Sequence, residues 1–482
     1  MLKLNREVYL DKLKACWIGK NIGGTLGAPF EGRRELLDIK GFSTPSGEPL
    51  PNDDLDLQLV WLFAMERRGP EYVNATVLSD YWLEWIAPHW NEYGIAKTNL
   101  RLGLLPPLSG ELDNDKWKHS NGAWIRSEIW AGFAPGVTDV AVKYAVADAT
   151  VDHGFGEGTY AEIFTAVLQS AAYIESDIRT LIDTALSKIP EDCLVARTVR
   201  LVIECYESGV SYREARERVV EFNRELGWFQ APGNIGFVII GLLYGEGDFK
   251  KSVLYAVNCG DDTDCTAGTV ASTLGIVGGC ASIPDDWNKF VGERIVTMTI
   301  NGMFAYMLPK TCTEFATRIY ELVPRVMKAN KVKFAFTDEE SDYSEKYKYN
   351  SISPEVYFER SRYSYDVTHY GAFSVRVEYD KTPRVRPCES RRVKLTFIAA
   401  RDVKETRRLE LRAVLPDGWT ISEYSKNILL EYPQPVHKVY GISSVEFDIT
   451  VSETVNAVNR AYMEITSPSL AYPAMIPITF VG

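Results

Sequence analysis

No part of the chain strings together the ~18 uninterrupted apolar residues that a membrane-crossing helix needs. The opening MLKLNREVYLDKLKACWIGK carries charges where a secretory signal would be apolar. Neither a membrane protein nor a secreted one is expected, and the cytoplasm is the predicted compartment. Basic charge is also scarce: 53 Lys and Arg stand against 65 Asp and Glu, the net charge is −12, and no basic block occurs. Without a basic face to neutralise a phosphate backbone, nucleic acid is not an expected partner. Histidine appears five times, at positions 89, 119, 153, 369 and 437, without metal-ligand spacing. The eight cysteines are spread over most of the length and include no CxxC pair, so neither a zinc ribbon nor a disulfide framework is indicated. Most of them read as small buried residues in a reducing compartment.

What is present is a chain of 482 residues, 46% apolar and 24% charged, enough for two or three cores. From residue 7 to about 330 apolar residues recur at helical spacing, broken by short Gly, Pro and Asp clusters. Helices are predicted over Leu55–Arg67, Ala161–Ile174, Ile178–Ile189, Cys193–Ser208, Tyr212–Leu226 and Phe249–Val257. Residues 331–365 are polar and tyrosine-rich and read as a linker or strap. After Tyr370 the period falls to two, as in Phe373, Val375, Val377 and Tyr379 or Val445, Phe447, Ile449 and Val451. About seven short strands over 366–482 suggest an immunoglobulin-like sandwich. The predicted architecture is therefore multidomain: an all-α domain over 1–330, then an all-β sandwich.

Three segments could carry chemistry. Asn258 to Gly268 holds Asp261, Asp262 and Asp264 within four residues, and carboxylates so close repel one another unless a cation sits among them. Oxygen donors with no nearby histidine favour Mg²⁺, Mn²⁺ or Ca²⁺. An EF-hand is excluded, because Ala267 and Thr273 stand where its Gly and Glu belong. Asn52-Asp53-Asp54-Leu55-Asp56 is a second acidic cluster before a predicted helix. Both clusters can also be read as helix caps with acids in the first turn. The third segment, Gly19 to Gly32, has Gly19, Gly23 and Gly27 at four-residue spacing, which allows two helices to approach closely. It lacks the spacing of a dinucleotide fingerprint, and Glu31 falls at its end, where a carboxylate can face a cleft. Ser120-Asn121-Gly122 and the stretch from His153 to Gly156 are weaker candidates.

Taken in order, the glycine-rich opening ending in Glu31, the Asp53-Asp54 pair, Ser120 to Ala123 and Asn258 to Ala267 resemble the ADP-ribosylglycohydrolase family. That family includes the dinitrogenase reductase-activating glycohydrolase and the ADP-ribosylhydrolases. The resemblance implies an all-helical fold holding Mg²⁺, replaceable by Mn²⁺, as one or two ions. It implies Asp53, Asp54, Asp262 and Asp264 as ligands, with Glu31 and Asp264 in catalysis. Asn52, Ser120, Asn121, Gly122, His153 and Gly156 would line the substrate. The implied activity is hydrolysis of an N- or O-glycosidic bond to ADP-ribose or a related glycosyl group, on a small glycoside or an ADP-ribosylated substrate. Asn52, Leu55 and Cys265 stand where the family has threonine, and Gly24 where it has aspartate. A thiol is a poor Mg²⁺ ligand, so one ion could be weakened, lost, or completed by Thr266 or water. Two alternatives follow: a hydrolase of a different sugar glycoside, or a catalytically reduced homologue that binds a nucleotide or sugar. The sandwich could bind sugar, act as a lid or mediate dimerisation, which leaves a homo-oligomer open.

Overall fold

A computed structural model describes residues 1–303, 305–369, 372–400, 404–434 and 440–482. His437 and the side chain of His369 lie outside the described residues. Contacts divide the chain into one unit of residues 1–94 and 114–358 and another of residues 95–113 and 359–482. Among the described residues no helix is long and apolar enough to cross a membrane.

The first unit is helical because its segments carry apolar residues either on one stripe or all round. Its first helix, Arg6–Gly27, starts at Asn5, whose side chain accepts the Val8 amide at 3.0 Å, and is buried continuously from Ala15 onward. Glu157–Ala172, Ala231–Tyr244 and Thr263–Gly278 are also buried on nearly every face and form the interior. Leu194–Glu207 and Cys312–Ala329 bury a single stripe and cover it. The predicted helices appear with shifted ends, for example Asp53–Arg68 and Tyr212–Phe222.

The tyrosine-rich stretch up to Phe358 groups with this helical unit. Phe334–Thr337 pairs in parallel with Leu2–Asn5, a two-stranded sheet that the helical periodicity did not foreshadow. Further along, Asn350 accepts the Thr138 amide at 2.8 Å, and Asp139 accepts the Ser351 amide at 2.9 Å. Phe358 sets its edge against Phe155 and Tyr160.

The second unit holds two antiparallel sheets. One has the order 474–481, 458–466, 407–414, 425–430; the other has the order 364–369, 373–379, 390–399, 442–450, 420–421. Alternate residues of both, such as Val375, Leu395, Leu409 and Ile465, share one buried core, so the sheets form a sandwich. Leu104, Leu108 and Leu112, from residues 95–113, belong to that same core.

Candidate functional site

The glycine spacing in the first helix has a direct structural counterpart. A Cβ at Gly19, Gly23 or Gly27 would lie 2.3–2.4 Å from the backbone of Ala271, Ala267 or Thr263 respectively, so the Arg6–Gly27 and Thr263–Gly278 helices touch backbone to backbone. Larger side chains would force them apart. This contact brings Glu31, beyond the short 3₁₀ turn Ala28–Phe30, to the N-terminus of the Thr263–Gly278 helix with its Asp262 and Asp264. Gly24 makes room for the second acidic segment, since a Cβ there would meet the Asn52 amide at 1.9 Å. Asn52 caps the Asp53–Arg68 helix by accepting the Asp54 amide at 2.7 Å.

Carboxylates from three segments thus converge. Glu31, Asp262 and Asp264 each offer an oxygen within 4.8 Å of the others. Asp54, Asp264 and the Cys265 sulfur form a second such group. Asp262 Oδ1 and Asp264 Oδ1 are buried and have no hydrogen-bond partner, although isolated buried polar atoms are costly. Burial, followed by the charges of Asp54 and Glu31, pushes Asp264 up to about 7. Burial and then Asp264 raise Asp262 well above the carboxylate range, and burial and then Asp54 do the same for Asp53. Glu31 is exposed as a residue, but burial around its acid group and the charge of Asp54 raise it too. The first cluster, with hard oxygen donors, repelling charges and two unpartnered atoms, fits a divalent cation.

Four of these acids, though not Asp54, line a cleft of about 420 Å³. Its lining includes Glu31, Asp53, Asp262 and Asp264 together with Trp90, Trp117, Tyr93 and Phe229. Ser120, Asn121 and Gly122 also line it, and Asn121 Nδ2 donates to Asp262 Oδ2 at 2.7 Å. Behind them the buried Arg126 donates to the Gly122 carbonyl, to Asp148 at 3.0 Å and to Asp152 at 2.8 Å. Burial acts to raise Asp152, but Arg126 and then His153 beside it hold the carboxyl down to about 2. His153 is fully buried, with Nε2 3.1 Å from the Ser120 hydroxyl and Nδ1 3.0 Å from Asp152. It supports the wall from behind and is not part of the lining. Gly156 is likewise outside it: a Cβ there would lie 2.1 Å from the Lys118 carbonyl oxygen, so its smallness serves packing.

The remaining acids of the two clusters fasten loops. Asp56 Oδ2 accepts the Met298 and Thr299 amides, both at 2.7 Å, fixing the segment that carries Met298 to the cleft. Asp261, at φ 66°, accepts from the Phe229 amide and from Asn234, which sets Phe229 in the wall.

A profile of the ADP-ribosylglycohydrolase family matches residues 5–319. The chain belongs to this family. Among solved structures, a chain titled an ADP-ribosylglycohydrolase-related protein complex aligns over 66% of this chain and 99% of its own length, at 20% identity and a TM-score of 0.43. A comparison with curated proteins gives no match. Family membership carries a glycosyl-hydrolase type of activity, in a family that is typically dependent on divalent metal ions.

Three residues in or behind the cleft of this family member were not picked out by the sequence motifs. Glu92 lines the wall, is 7% exposed and keeps Oε2 without a partner; burial raises its carboxyl. Tyr93 directs its hydroxyl to Asp53 at 3.4 Å. The signal available was Trp90-Asn91-Glu92-Tyr93, two aromatic residues flanking a polar pair just after Pro88. Lys20 was hidden inside the glycine-rich motif. It is fully buried, and its ammonium lies 2.9 Å from Asp54 and 3.0 Å from Glu128.

Proposed function

We propose that the cleft is the active site of a divalent-metal-dependent hydrolase that cleaves an N- or O-glycosidic bond to ADP-ribose or a related glycosyl group. The observation that carries this reading is the pair of buried, unpartnered oxygens on Asp262 and Asp264, within reach of Glu31. Glu31, Asp262 and Asp264 would hold Mg²⁺ or Mn²⁺, with Asp53 facing them across the cleft. When bound, such an ion lowers the pKa of water and polarises sugar oxygens.

The chain's own groups supply the rest. Asn121 holds Asp262 in place by its 2.7 Å hydrogen bond. Glu31, the most accessible of the three acids, accepts the proton of the attacking water, and Asp264 keeps its charge next to that exchange. Trp90, Trp117 and Phe229 give flat apolar surfaces on which a sugar ring or a base can stack, while Ser120 and Asn121 offer hydrogen bonds to hydroxyls. We place this activity in the cytoplasm, in keeping with eight unpaired cysteines.

A second reading, hydrolysis of an uncharged sugar glycoside, is favoured by the charge of the lining. Glu31, Asp53, Glu92, Asp262 and Asp264 all face one cleft, and such a field disfavours a diphosphate more than a neutral sugar. The test is a panel of ADP-ribosyl-arginine, ADP-ribosyl-serine, O-acetyl-ADP-ribose and simple glycosides, assayed with Mg²⁺ or Mn²⁺ and with chelator. Metal-dependent release from the first three supports the leading reading, and release from the simple glycosides alone supports the second. No turnover, together with binding of ADP-ribose or sugar, would establish the catalytically reduced homologue instead.

A further inference from the structure

Lys20 sits two-thirds of the way along the first helix with no exposed surface. Its ammonium is surrounded by oxygen: the Ile125 carbonyl at 2.8 Å, Asp54 Oδ2 at 2.9 Å, Glu128 Oε1 at 3.0 Å and the Thr269 hydroxyl at 3.4 Å. Room for the side chain is made by Gly268, where a Cβ would lie 3.1 Å from the lysine Cδ. The other oxygen of Asp54 is also engaged, since the Cys265 thiol donates to Oδ1 at 3.3 Å. The thiol thus occupies Oδ1, while Oδ2, which accepts no hydrogen bond, is held by the Lys20 ammonium as an ion pair.

That engagement bears on the second group of candidate ligands, Asp54, Asp264 and Cys265, which adjoins Glu31, Asp262 and Asp264 and shares Asp264 with it. A divalent ion placed there would have to displace the thiol proton donor from Asp54. It would also face the lysine ammonium across that carboxylate, a like charge in a dry interior where Coulomb repulsion is least screened. The neighbouring group has no such obstacle: among the described residues Glu31, Asp262 and Asp264 make no ion pair, whereas Asp54 is paired with Lys20 and takes the Cys265 thiol.

We infer that Lys20 supplies, as a fixed ammonium, the positive charge that a second metal ion would bring. The chain then holds one divalent ion, on Glu31, Asp262 and Asp264, and Asp54 is the counter-ion of Lys20. This rests on the reading of the cleft as a cation site. Lys20 becomes a positioning residue: it holds Asp54 and Glu128, and through Glu128 it fixes Gln58, whose Nε2 donates to Glu128 Oε2 at 2.9 Å.

The test is the stoichiometry of Mn²⁺ on the full-length, chelator-stripped protein, with free Mn²⁺ followed by electron paramagnetic resonance. One ion per chain is expected, with the spectrum of an isolated Mn²⁺ at saturation. Two ions per chain, with the coupled spectrum of centres about 4 Å apart, would overturn the inference while leaving the cation reading of the cleft intact. No bound Mn²⁺ would instead remove the cation reading itself. The double substitution Lys20→Met and Glu128→Gln removes one charge of each sign and frees Asp54, so it should raise the count from one to two. A folded double variant that still binds one ion would refute the role given to Lys20. If it does not fold, the count on the parent protein still decides.

Discussion

Replacing Asp264 by asparagine should stabilise the metal-free protein and at the same time remove its response to cations. Asp264 is 6% exposed, and burial with the charges of Asp54 and Glu31 pushes it up to about 7. An unfolded aspartate titrates near 3.9. The folded pKa is the higher one, so the folded state holds the proton more tightly, and the contribution to stability is complete below about pH 4 and lost as pH rises through 7. About three units at 1.36 kcal/mol each put the cost of the ionised carboxylate at no more than about 4 kcal/mol above pH 7. Asparagine has the same shape and no charge. The Asp264→Asn protein in chelator should therefore match the parent near pH 4 and exceed it increasingly toward pH 8, by up to that amount. Mn²⁺ should reverse the order: at a hundred times Kd it adds about 2.7 kcal/mol to the parent and little to the variant. Urea unfolding at pH 4.5, 6 and 8, with chelator and with Mn²⁺, measures both effects. A variant less stable than the parent at pH 8 in chelator, or a difference that does not change with pH, would refute the argument.

Three further outcomes are expected. Glu31→Gln should lower turnover of any substrate found by ~10² to 10⁴, the usual range for a lost acid or base, with little change in Tm because the residue is exposed; a large fall in Tm would make its role structural. Gly23→Ala should cost about 1–3 kcal/mol or more in denaturant unfolding, as overpacking does, since the new Cβ would stand 2.4 Å from the Ala267 backbone; a gain of the kind seen at open helix positions would contradict the close contact of the two helices. Deleting residues 371–482 should make the remainder aggregate, because Leu104, Leu108 and Leu112, 5% exposed or less, lose the strands they pack with; a soluble monomer on size exclusion would show otherwise.

The acidic segments and the glycine spacing were legible because close carboxylates and regularly spaced glycines carry a physical cost or use that can be read without a fold. The change of period near residue 370 announced the strands for the same reason. Ser425–Leu430 was not legible, since only Ile428 and Leu430 on its inner face are apolar and the lysine at 426 breaks the alternation. Residues 95–113 were read as helical-domain sequence, and nothing local showed that Leu104 and Leu108 would join a core built by strands. Beneath the acidic cluster, Lys20 was illegible because a lysine in a helix is usually solvated; only its burial between Asp54 and Glu128 gives it a role. His153 is the opposite case. A rare histidine beside glycines suggests a ligand contact, and its buried ring lies between Ser120 and Asp152, outside the cleft lining.

If Glu31, Asp262 and Asp264 together hold a divalent cation in the cleft, the ion itself can be located. Anomalous diffraction from a Mn²⁺-soaked crystal does so most directly. The expected result is a peak with oxygens of all three side chains at coordination distance, about 2.0–2.6 Å. A fully soaked crystal with no peak in the cleft, or with its peak bound to other residues, would contradict it.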